Sequence, residues 1–378
     1  MKIGIMLRHA EQHHGGVLVY THNLVREMLD LETPHEFVLL YQNPNLIGTY
    51  GDGHRAREIA FQAPSALLWD QLAVPWLERK ERFDVIFNPK FTVPFLSKAK
   101  KVFVLHGSEW FVIPQAYLWY DRWYTHTLTS LYCRHADAVI TVSNVVKQDI
   151  VKFTGVKPEK VVPVHNGFDP NRFQVIDDPK HLAEVRQTHH LPEQFILWTG
   201  QLYPPKNIGR LLEAFARVKD EIPHMLVIAG EERWRYKEDL ALIERLGIKD
   251  RIHFTGWVSH DHLPAFYNLA DLFVLPSLYE GFGIPLLEAM ACGCPVLTAT
   301  TGTPPEVVED AGYLVDPIKV DEIAAGICEV LSNSELRSAM VAKGLERVKE
   351  FSWEKCARET LGVLERVGAP QLSWQGAA

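Results

Sequence analysis

The stretch DLFVLPSLYEGFGIPLLEAMACGCPVLTAT, residues 271–300, is where the fold of this 378-residue chain can be read most directly. Two short apolar runs, 271–277 and 294–300, predict buried strands. The residues between them, 284–293, predict a helix with Pro285 at its first position and Gly293 just beyond its end. A strand, a helix and a strand in this order form the crossover unit of a parallel sheet. The loop EGFG (280–283) then lies at the carboxyl end of the first strand.

The same alternation continues along the rest of the chain. Apolar runs predict three further strands in the second half and five in the first half, with helical stretches between them. The sequence therefore predicts an α/β fold with two Rossmann-like doubly wound parallel-sheet domains facing a central cleft. The further predicted strands are 2–7, 36–42, 83–89, 101–107 and 137–143, then 195–201, 224–231 and 251–257.

A turn-rich segment, 161–180, interrupts this alternation and contains Asn-Gly and Asp-Pro, two strong turn signals. It predicts an N-terminal domain over residues 1–170 and a C-terminal domain over 171–351. The last helix begins after Ser352, which suits an N-cap. We expect this helix, about 352–378, to pack back on the N-terminal domain.

Charge and cysteine usage exclude several classes of protein. The net charge is −8, and residues 1–169 carry 18 Lys/Arg against 17 Asp/Glu, whereas 170–378 carry 21 against 30. An acidic chain without a long basic run argues against a nucleic-acid partner. The five cysteines are scattered and predict buried, reduced thiols, with Cys292 and Cys294 as a less favoured half metal site. We expect a cytoplasmic protein, with peripheral attachment to the inner face of the membrane as the alternative.

The loop 280–283 carries the residues best suited to bind a ligand. Gly281 and Gly283 leave backbone amides unobstructed in front of a helix N-terminus, which suits a phosphate or a sugar hydroxyl. Glu280 lies at the loop edge, and Glu288 lies one helical turn further on, with its side chain leaning back toward the loop. A carboxylate there matches a vicinal diol such as a ribose. Together these groups predict a nucleotide-sugar pocket.

Each of these residues also has a structural interpretation. The two glycines alone would suit a tight turn between strand and helix, and Glu288 could be a charge on the helix surface. However, the neighbours of Glu288 are apolar, and a glutamate in such a helix needs a polar partner. We therefore favour a binding role for Glu288 and, less strongly, for Glu280.

The segment EGFGIPLLEAMACGCPVLTATTGTPPEVVEDAGYLVDP (280–317) resembles the signature of the retaining glycosyltransferases of family 4, which have the GT-B fold. The similarity continues through WTGQLYPPKNIGRLLEAF, LVIAGE, FTGWVSHDHLPAFYNLADLFVLPS, ADAVITVSN and VHNGFDPNRF. In general character the chain is most similar to bacterial surface-polysaccharide mannosyl- or glucosyltransferases.

The resemblance assigns roles to residues of the second half. It implies that Glu280 contacts hydroxyls of the donor sugar and that Glu288 binds the nucleotide ribose. Lys206 would neutralise the diphosphate. The donor-binding set also includes Gln201 and the loop and helix start at Gly281, Phe282, Gly283 and Ile284. Gly15 and Gly16 of the first domain complete it.

One position departs from the family pattern. Many members have an arginine directly after the glycine of the motif that here reads GQLYPPKN, whereas this chain has Gln201. One of two usual positive charges is therefore missing from the predicted diphosphate site. Backbone amides or another basic residue, of which Arg210 is the nearest in sequence, would have to compensate.

The first domain is expected to contribute further residues. Gly15 and Gly16 match the family's glycine-rich turn after the first strand, and a plain tight turn is an equal alternative. His106, at the end of a predicted strand, matches the histidine that contacts the donor sugar near the reacting carbon. Asn166 and Asp169 match the joint between domains and are expected to be structural.

The reaction implied by the resemblance is the transfer of a hexosyl group, with retention of configuration, from a nucleoside diphosphate sugar to an acceptor. GDP-mannose or UDP-glucose is the expected donor, and a saccharide or lipid-linked saccharide is the expected acceptor. The catalytic residues would be Glu280, His106 and Lys206. No D-x-D motif is present, so we expect neither a bound metal nor another cofactor. An aromatic segment, 110–134, could serve as a platform for a lipid-linked acceptor, although a core helix is the favoured interpretation.

Two other functions compete with this one. A tandem α/β chain could be an NAD-dependent oxidoreductase, but HHGGVLVY after the first strand lacks the G-x-G-x-x-G pattern. The chain could also bind a nucleotide sugar without turning it over, an interpretation that only Gln201 supports.

Overall fold

The computed structural model describes residues 1–8, 15–50, 56–117, 119–230 and 236–369. The described residues contain thirteen strands, all of which pair in parallel. The strands are β1 Lys2–Met6, β2 Glu36–Tyr41, β3 Arg57–Ala60, β4 Val85–Asn88, β5 Lys100–Leu105, β6 Ala138–Thr141, β7 Val161–Pro163, β8 Phe195–Thr199, β9 Met225–Ala229, β10 Ile252–Gly256, β11 Leu272–Leu275, β12 Val296–Ala299 and β13 Gly312–Val315.

Helices separate most of these strands, as the crossover connection of parallel strands requires. A π-helical segment, Trp69–Ala73, joins α2 and α3 into one continuous rod. The α-helices are α1 Gly16–Asp30, α2 Ala66–Leu68, α3 Val74–Glu81, α4 Glu109–Val112, α5 Trp119–His135, α6 Asn144–Thr154, α7 Pro179–Thr188, α8 Ile208–Val218, α9 Tyr236–Leu246, α10 Leu263–Leu269, α11 Ile284–Ala291, α12 Pro304–Val308, α13 Val320–Ser332, α14 Ser334–Arg347 and α15 Trp353–Gly368.

The chain divides into two compact units, each built on one sheet. The first comprises residues 1–108, 120–166 and 353–378, and the second comprises 109–119 and 167–352. Within the described residues the first unit has a seven-stranded sheet of order β3-β2-β1-β4-β5-β6-β7. The second has a six-stranded sheet of order β10-β9-β8-β11-β12-β13. Both orders run outward from a central pair, which is the doubly wound arrangement predicted for both halves.

The central strands are buried on both faces, which is why they appear in the sequence as continuous apolar runs. All residues of β4, β6, β8, β11 and β12 are buried. Helix α15 returns to the first unit and packs on α1 and on β4, β5 and β6. Its inward face includes Trp353, Cys356 and Leu364, all buried.

Three strands were missed by the sequence prediction, and each has a physical reason. β3 and β13 lie at sheet edges, are short, and contain exposed or half-buried residues, so their apolar runs are weak. β7 is a three-residue edge strand ending at Pro163, and it lies within the segment predicted as a turn-rich joint. Edge strands tolerate proline because one side needs no ladder hydrogen bond.

Smaller expectations about helix ends and cysteines can also be compared with the structure. Gly293 follows α11 with a φ of 72°, as predicted, but Pro285 is the second helical residue rather than the first. Cys292 and Cys294 are buried. Among the described residues, no cluster of three His, Cys, Asp or Glu side chains could hold a metal ion. Of the described helices, none combines the length and apolar character needed to cross a bilayer.

Candidate nucleotide-sugar site

The candidate site of the second unit lies where the strand order reverses. β8 and β11 are neighbours, and the sheet extends away from them in opposite directions. In such sheets, ligands bind beyond the carboxyl ends of the two strands at this switch point. The loop after β8 carries Lys206, and the loop after β11 carries Glu280. Topology therefore brings together two residues that are 74 positions apart.

The two loops are fastened to each other by backbone and amide hydrogen bonds. The amide of Leu278 donates to the carbonyl of Pro205 at 2.8 Å. The side-chain amide of Asn207 donates to the carbonyls of Pro276 at 2.9 Å and Pro317 at 2.7 Å. These bonds hold the loop after β8 against the loops after β11 and β13, so the positions of Lys206 and Glu280 are preset.

Lys206 and Glu280 form an ion pair in this protected setting. The ammonium Nζ lies 2.7 Å from Oε1 of Glu280, and the two side chains are only 15% and 9% exposed. The hydroxyl of Ser277 donates to the same oxygen at 2.6 Å. Both donors use Oε1, which orients the carboxylate and keeps a positive charge at the mouth of the loop.

The loop between the two glutamates is held by its own surroundings. Phe282 is buried, with its ring 5.9 Å from that of Phe351. The hydroxyl of Thr303 donates to the carbonyl of Gly281 at 2.9 Å. Gly283 caps α11 with a φ of 97°, a left-handed conformation that favours glycine, and Ile284 begins the helix. The backbone of 281–284 is therefore shaped by packing from both sides.

Glu288 is buried one turn into α11, and its carboxylate belongs to a short polar chain. The hydroxyl of Tyr267 donates to Oε2 of Glu288 at 3.2 Å and lies 3.1 Å from the hydroxyl of Thr199. Burial raises the pKa of Glu288 from 4.5 to about 7, and the Tyr267 hydrogen bond and the charge of Arg172 oppose that rise. The polar partner that a glutamate in an apolar helix requires is thus Tyr267.

This pKa predicts how the stability of the free protein depends on pH. Because the pKa of Glu288 is higher in the folded chain than its ordinary value of 4.5, the folded state binds more protons between about pH 4.5 and 7. The contribution of Glu288 to stability is therefore greatest at low pH and decreases as the pH rises through this window. At about 1.4 kcal/mol per pKa unit, the total decrease is roughly 3 kcal/mol.

The variant Glu288→Gln should lack this component, because glutamine does not titrate. Urea unfolding of wild type and variant between about pH 5 and pH 8 measures the difference in slope. Glu335→Gln, at an exposed position in the first turn of α14, is the control. Parallel pH profiles for wild type and Glu288→Gln would contradict the assignment.

Gln201 and Arg210 lie on different elements of the same region. Gln201 is half-buried in the loop after β8. Arg210 lies in α8, donates to Oδ1 of Asn207 at 2.9 Å, and lines a cavity of about 370 Å³. Glu213 and Asp239 line the same cavity. Compensation by Arg210 for the missing arginine stays a prediction.

Sequence reasoning did not select several residues that support the site. Ser277, Thr303 and Tyr267 orient the loop and the carboxylates. They are isolated hydroxyl residues in or beside apolar runs, so no pattern in the sequence marked them as part of a site. Glu109, in α4 of the second unit, is close enough to Lys206 and Glu280 for their charges to affect its pKa. Burial raises the pKa of Glu109, and Tyr117 forms a hydrogen bond with it. An acidic residue three positions after His106 was the available cue for it.

The residues predicted in the first unit lie at the carboxyl ends of its strands. Gly15 caps α1 with a φ of 123°, and Gly16 is the first helical residue; both are exposed. His106 follows β5, and its Nε2 lies 2.7 Å from the carbonyl oxygen of Pro89. Burial lowers the pKa of His106 to about 4. The imidazole is therefore neutral at pH 7 with its proton on Nε2, which leaves Nδ1 as a hydrogen-bond acceptor.

The ring of His106 is held from the side by Tyr20 of α1, with ring centroids 4.6 Å apart in an edge-to-face arrangement.

At the expected joint, Asn166 is buried, and Asp169 accepts from the amide of Asn171 at 3.0 Å, a local turn contact. The aromatic segment 110–134 comprises α4, a short 3₁₀ turn and most of α5. Trp123 is exposed, whereas Phe111 and Tyr132 are buried.

Comparison with known proteins agrees with this architecture. The model of Glycosyltransferase Family 4 matches residues 14–172, and that of Glycosyl transferases group 1 matches 183–347. An uncharacterized glycosyltransferase of Methanocaldococcus jannaschii is 31% identical over 344 residues, which cover 85% of each chain. The O-antigen chain mannosyltransferase B of Escherichia coli is 34% identical over 229 residues. That match spans 60% of this chain and only 60% of the length of the relative.

Among solved structures, HepE of Anabaena, in complex with UDP-glucose, superimposes with a TM-score of 0.77. The match covers 97% of this chain and all of HepE, at 20% sequence identity. Two parallel sheets of seven and six strands thus match the GT-B fold. On its sequence relatives and on the two family matches, the chain belongs to glycosyltransferase family 4 and carries the group 1 glycosyltransferase domain.

Proposed function

We propose that this protein transfers a hexosyl group, mannose or glucose, from a nucleoside diphosphate sugar to a hydroxyl of a saccharide or lipid-linked saccharide, with retention of configuration. The observation that carries the proposal is the Lys206–Glu280 ion pair at the switch point of the second sheet. It sets one positive charge and one carboxylate side by side at the mouth of a loop whose amides precede a helix. A sugar diphosphate carries the complementary groups, an anion and several hydroxyls.

The relatives support the choice of sugar and donor. The Escherichia coli relative is named a mannosyltransferase, and the HepE structure contains UDP-glucose. GDP-mannose and UDP-glucose are therefore the first donors to test.

The reaction requires stabilisation of charge more than acid–base chemistry. Breaking the bond between sugar and phosphate leaves an oxocarbenium-like sugar and a diphosphate, and preorganised positive groups lower the barrier. We assign Lys206 and the amides of 281–283 to the diphosphate. Glu280, held through Oε1 by two donors, would accept from sugar hydroxyls through Oε2. Glu288 would accept from the ribose diol.

His106 has the role of an acceptor in this proposal. Its neutral ring presents Nδ1, because Nε2 is used by the carbonyl of Pro89. A sugar hydroxyl could donate to that nitrogen. Protonation of His106 would remove the acceptor, and its lowered pKa keeps the ring neutral well below pH 7.

Ligand binding and product analysis test the proposal together. A thermal-shift panel of GDP, UDP, ADP and NAD should show stabilisation by GDP or UDP and none by NAD. Proton NMR of the transfer product should then show the anomeric configuration of the donor. Excess EDTA should leave the rate unchanged, because no metal ion takes part in the proposed reaction.

Other outcomes would favour the competing functions. Stabilisation by NAD alone would overturn the proposal in favour of an oxidoreductase. Tight binding of a nucleotide sugar without donor hydrolysis or transfer to any tested acceptor would favour a non-catalytic binding protein.

A further inference from the structure

The helical rod of the first unit formed by α2, the π-helical segment and α3 has an unusual outer surface. The rod begins after Ser65, whose hydroxyl accepts from the amide of Leu68 at 3.2 Å, and ends at Arg82 with a φ of 59°. Its inner side, with Trp69, Val74 and Leu77, is buried in the core of the first unit. We define its apolar–basic face as the outward-facing residues Leu67, Leu68, Leu72, Trp76, Arg79 and Lys80.

The apolar members of this face are largely open to solvent. Leu67 is 64% exposed, Leu72 is 54% exposed and Trp76 is 49% exposed. Leu68, Leu72, Trp76 and Lys80 follow one another at intervals of four, so they form one stripe along the rod. Phe61 extends the stripe, with its ring 5.3 Å from that of Trp76. A surface helix usually shows polar residues on this side, so a contiguous apolar stripe indicates an interaction surface.

The acidic residues of the same rod are withdrawn from its surface. Asp70 is buried and lies 2.9 Å from Arg8. Glu78 is buried and accepts from the hydroxyl of Ser97 at 3.4 Å and the amide of Lys98 at 3.3 Å. Glu81 lies 3.1 Å from Lys2 and 2.7 Å from Arg57, and its side chain is only 7% exposed. Asp70 and Glu81 are paired with cations and Glu78 is buried and hydrogen-bonded, so the charges that the rod exposes are positive.

The positive charges lie at the carboxyl-terminal end of the stripe. Arg79 is exposed, and Lys80 holds its ammonium 5.3 Å from the ring centroid of Trp76. Lys98, on the neighbouring segment before β5, is also exposed, whereas Lys100 at the start of β5 is exposed but pairs with Asp137 at 3.0 Å. Long basic side chains beside an exposed tryptophan can keep their charges in water while their stems cover apolar surface.

We propose that this apolar–basic face binds the surface of an anionic phospholipid bilayer. Leucine and tryptophan side chains on one side of a helix insert at the boundary between headgroups and acyl chains, and flanking cations pair with anionic headgroups. Charge distribution along the chain agrees, since residues 1–169 are nearly neutral whereas 170–378 carry 21 Lys/Arg against 30 Asp/Glu. The face therefore lies on the half of the protein that an anionic surface repels least. The inference does not depend on sugar transfer.

This surface differs from the one that the sequence suggested. For the aromatic segment 110–134 the sequence favoured a core helix and offered a membrane platform as the alternative, and within this segment Trp123 is 69% exposed. Among the described residues of this segment, Phe111 and Tyr132 are buried, and the exposed apolar residues Val112, Trp123 and Leu131 lie at least eight positions apart. The test should therefore compare the two surfaces directly.

Vesicle co-sedimentation of the full chain measures the proposed binding. Wild type should sediment with phosphatidylcholine vesicles containing phosphatidylglycerol and remain in solution with phosphatidylcholine alone. The double variant Leu72→Ser/Trp76→Ser should reduce the partition coefficient on the order of 10- to 100-fold, because two half-exposed apolar side chains no longer insert. Arg79→Glu/Lys80→Glu should also weaken binding and reduce its salt dependence.

Two matched variants keep the test specific. Trp257→Ser removes a tryptophan that is 50% exposed in the second unit, and Trp123→Ser removes the one in the aromatic segment. Both should bind as wild type does, and unchanged melting curves would show that all variants are folded. Wild-type binding by Leu72→Ser/Trp76→Ser, or loss of binding in Trp123→Ser alone, would overturn the proposal. So would absence of vesicle binding by wild type together with a dimer that Trp76→Ser converts to a monomer.

Discussion

Glu280→Ala is expected to reduce sugar transfer by on the order of 100- to 1000-fold while leaving the affinity for the free nucleoside diphosphate within about threefold. The reason is the division of labour at the switch point. Glu280 is assigned to the sugar, whereas the diphosphate is assigned to Lys206 and the loop amides. Loss of Glu280 would thus remove an interaction with the reacting group and leave the nucleotide contacts in place.

The Lys206–Glu280 ion pair also determines how nucleotide affinity should change in this variant. In the free protein Lys206 lies 2.7 Å from Glu280, so the alanine variant releases a cation that the diphosphate can use. Nucleotide affinity should therefore stay constant or increase. Lys206→Ala should instead lower both nucleotide affinity and transfer, because it removes the charge that faces the leaving group. Isothermal titration with GDP or UDP and a transfer assay measure the two quantities separately.

A second ion pair offers the control. Lys249 and Glu244 lie 2.6 Å apart on the surface of the second unit, where their side chains are 71% and 62% exposed. Glu244→Ala should change neither quantity, since exposed ion pairs contribute little. If Glu280→Ala lost nucleotide affinity in proportion to transfer, the assignment of Glu280 to the sugar would be wrong.

Gly230→Ala is expected to destabilise the second unit by about 4 kcal/mol or more, which places it among the most disruptive single substitutions. A Cβ at this position would lie 1.7 Å from the carbonyl oxygen of Gly200. That oxygen belongs to the backbone, so rotation of a side chain cannot relieve the overlap. Gly200 itself has a φ of 147° and sits directly after β8.

The consequences should reach the candidate site. Gly200 begins the loop that carries Gln201 and Lys206, and the amide of Gly230 donates to the carbonyl of Gly256 at 2.9 Å. A shift of Gly200 at the end of β8 would move this loop, and with it Lys206, relative to Glu280. Any folded Gly230→Ala protein should therefore show weakened nucleotide binding as well as a lower urea midpoint.

Gly209→Ala is the matched control in the same unit. Its Cβ would meet only Leu242 Cδ2, at 3.6 Å, an ordinary contact. Because Gly209 lies within α8, alanine there should stabilise the helix by up to about 1 kcal/mol. Equal stability of Gly230→Ala and wild type would show that the two strand ends can separate without cost.

Much of the fold could be predicted because its signals are local. Apolar runs such as 195–199 and 272–275 are buried on both faces, and intervening helices have an apolar side, so strand and helix alternation is visible in one sequence. The glutamate pair around a glycine-rich loop was visible for the same reason. Weak edge strands such as β3 and β13 were missed because half of their surface is not buried in the sheet.

The properties of the candidate site depended on distant residues and could not be predicted in this way. The pKa of Glu288 follows from burial and from contact with Tyr267, 21 positions earlier, and the position of Lys206 follows from the pairing of β8 with β11. No local sequence pattern predicts either of these contacts.

The sequence by itself thus determined that this chain forms two parallel α/β sheets and places a glycine loop between two carboxylates, since periodicity and turn chemistry act over a few residues. Only the tertiary structure decided which groups meet and which apolar residues stay outside. Leu72 and Trp76 would be counted as core from their type, yet they are half-exposed because the rod turns its other side to the sheet. Strand order and packing are long-range outcomes of burial, and these set the charge, orientation and exposure on which the chemistry depends.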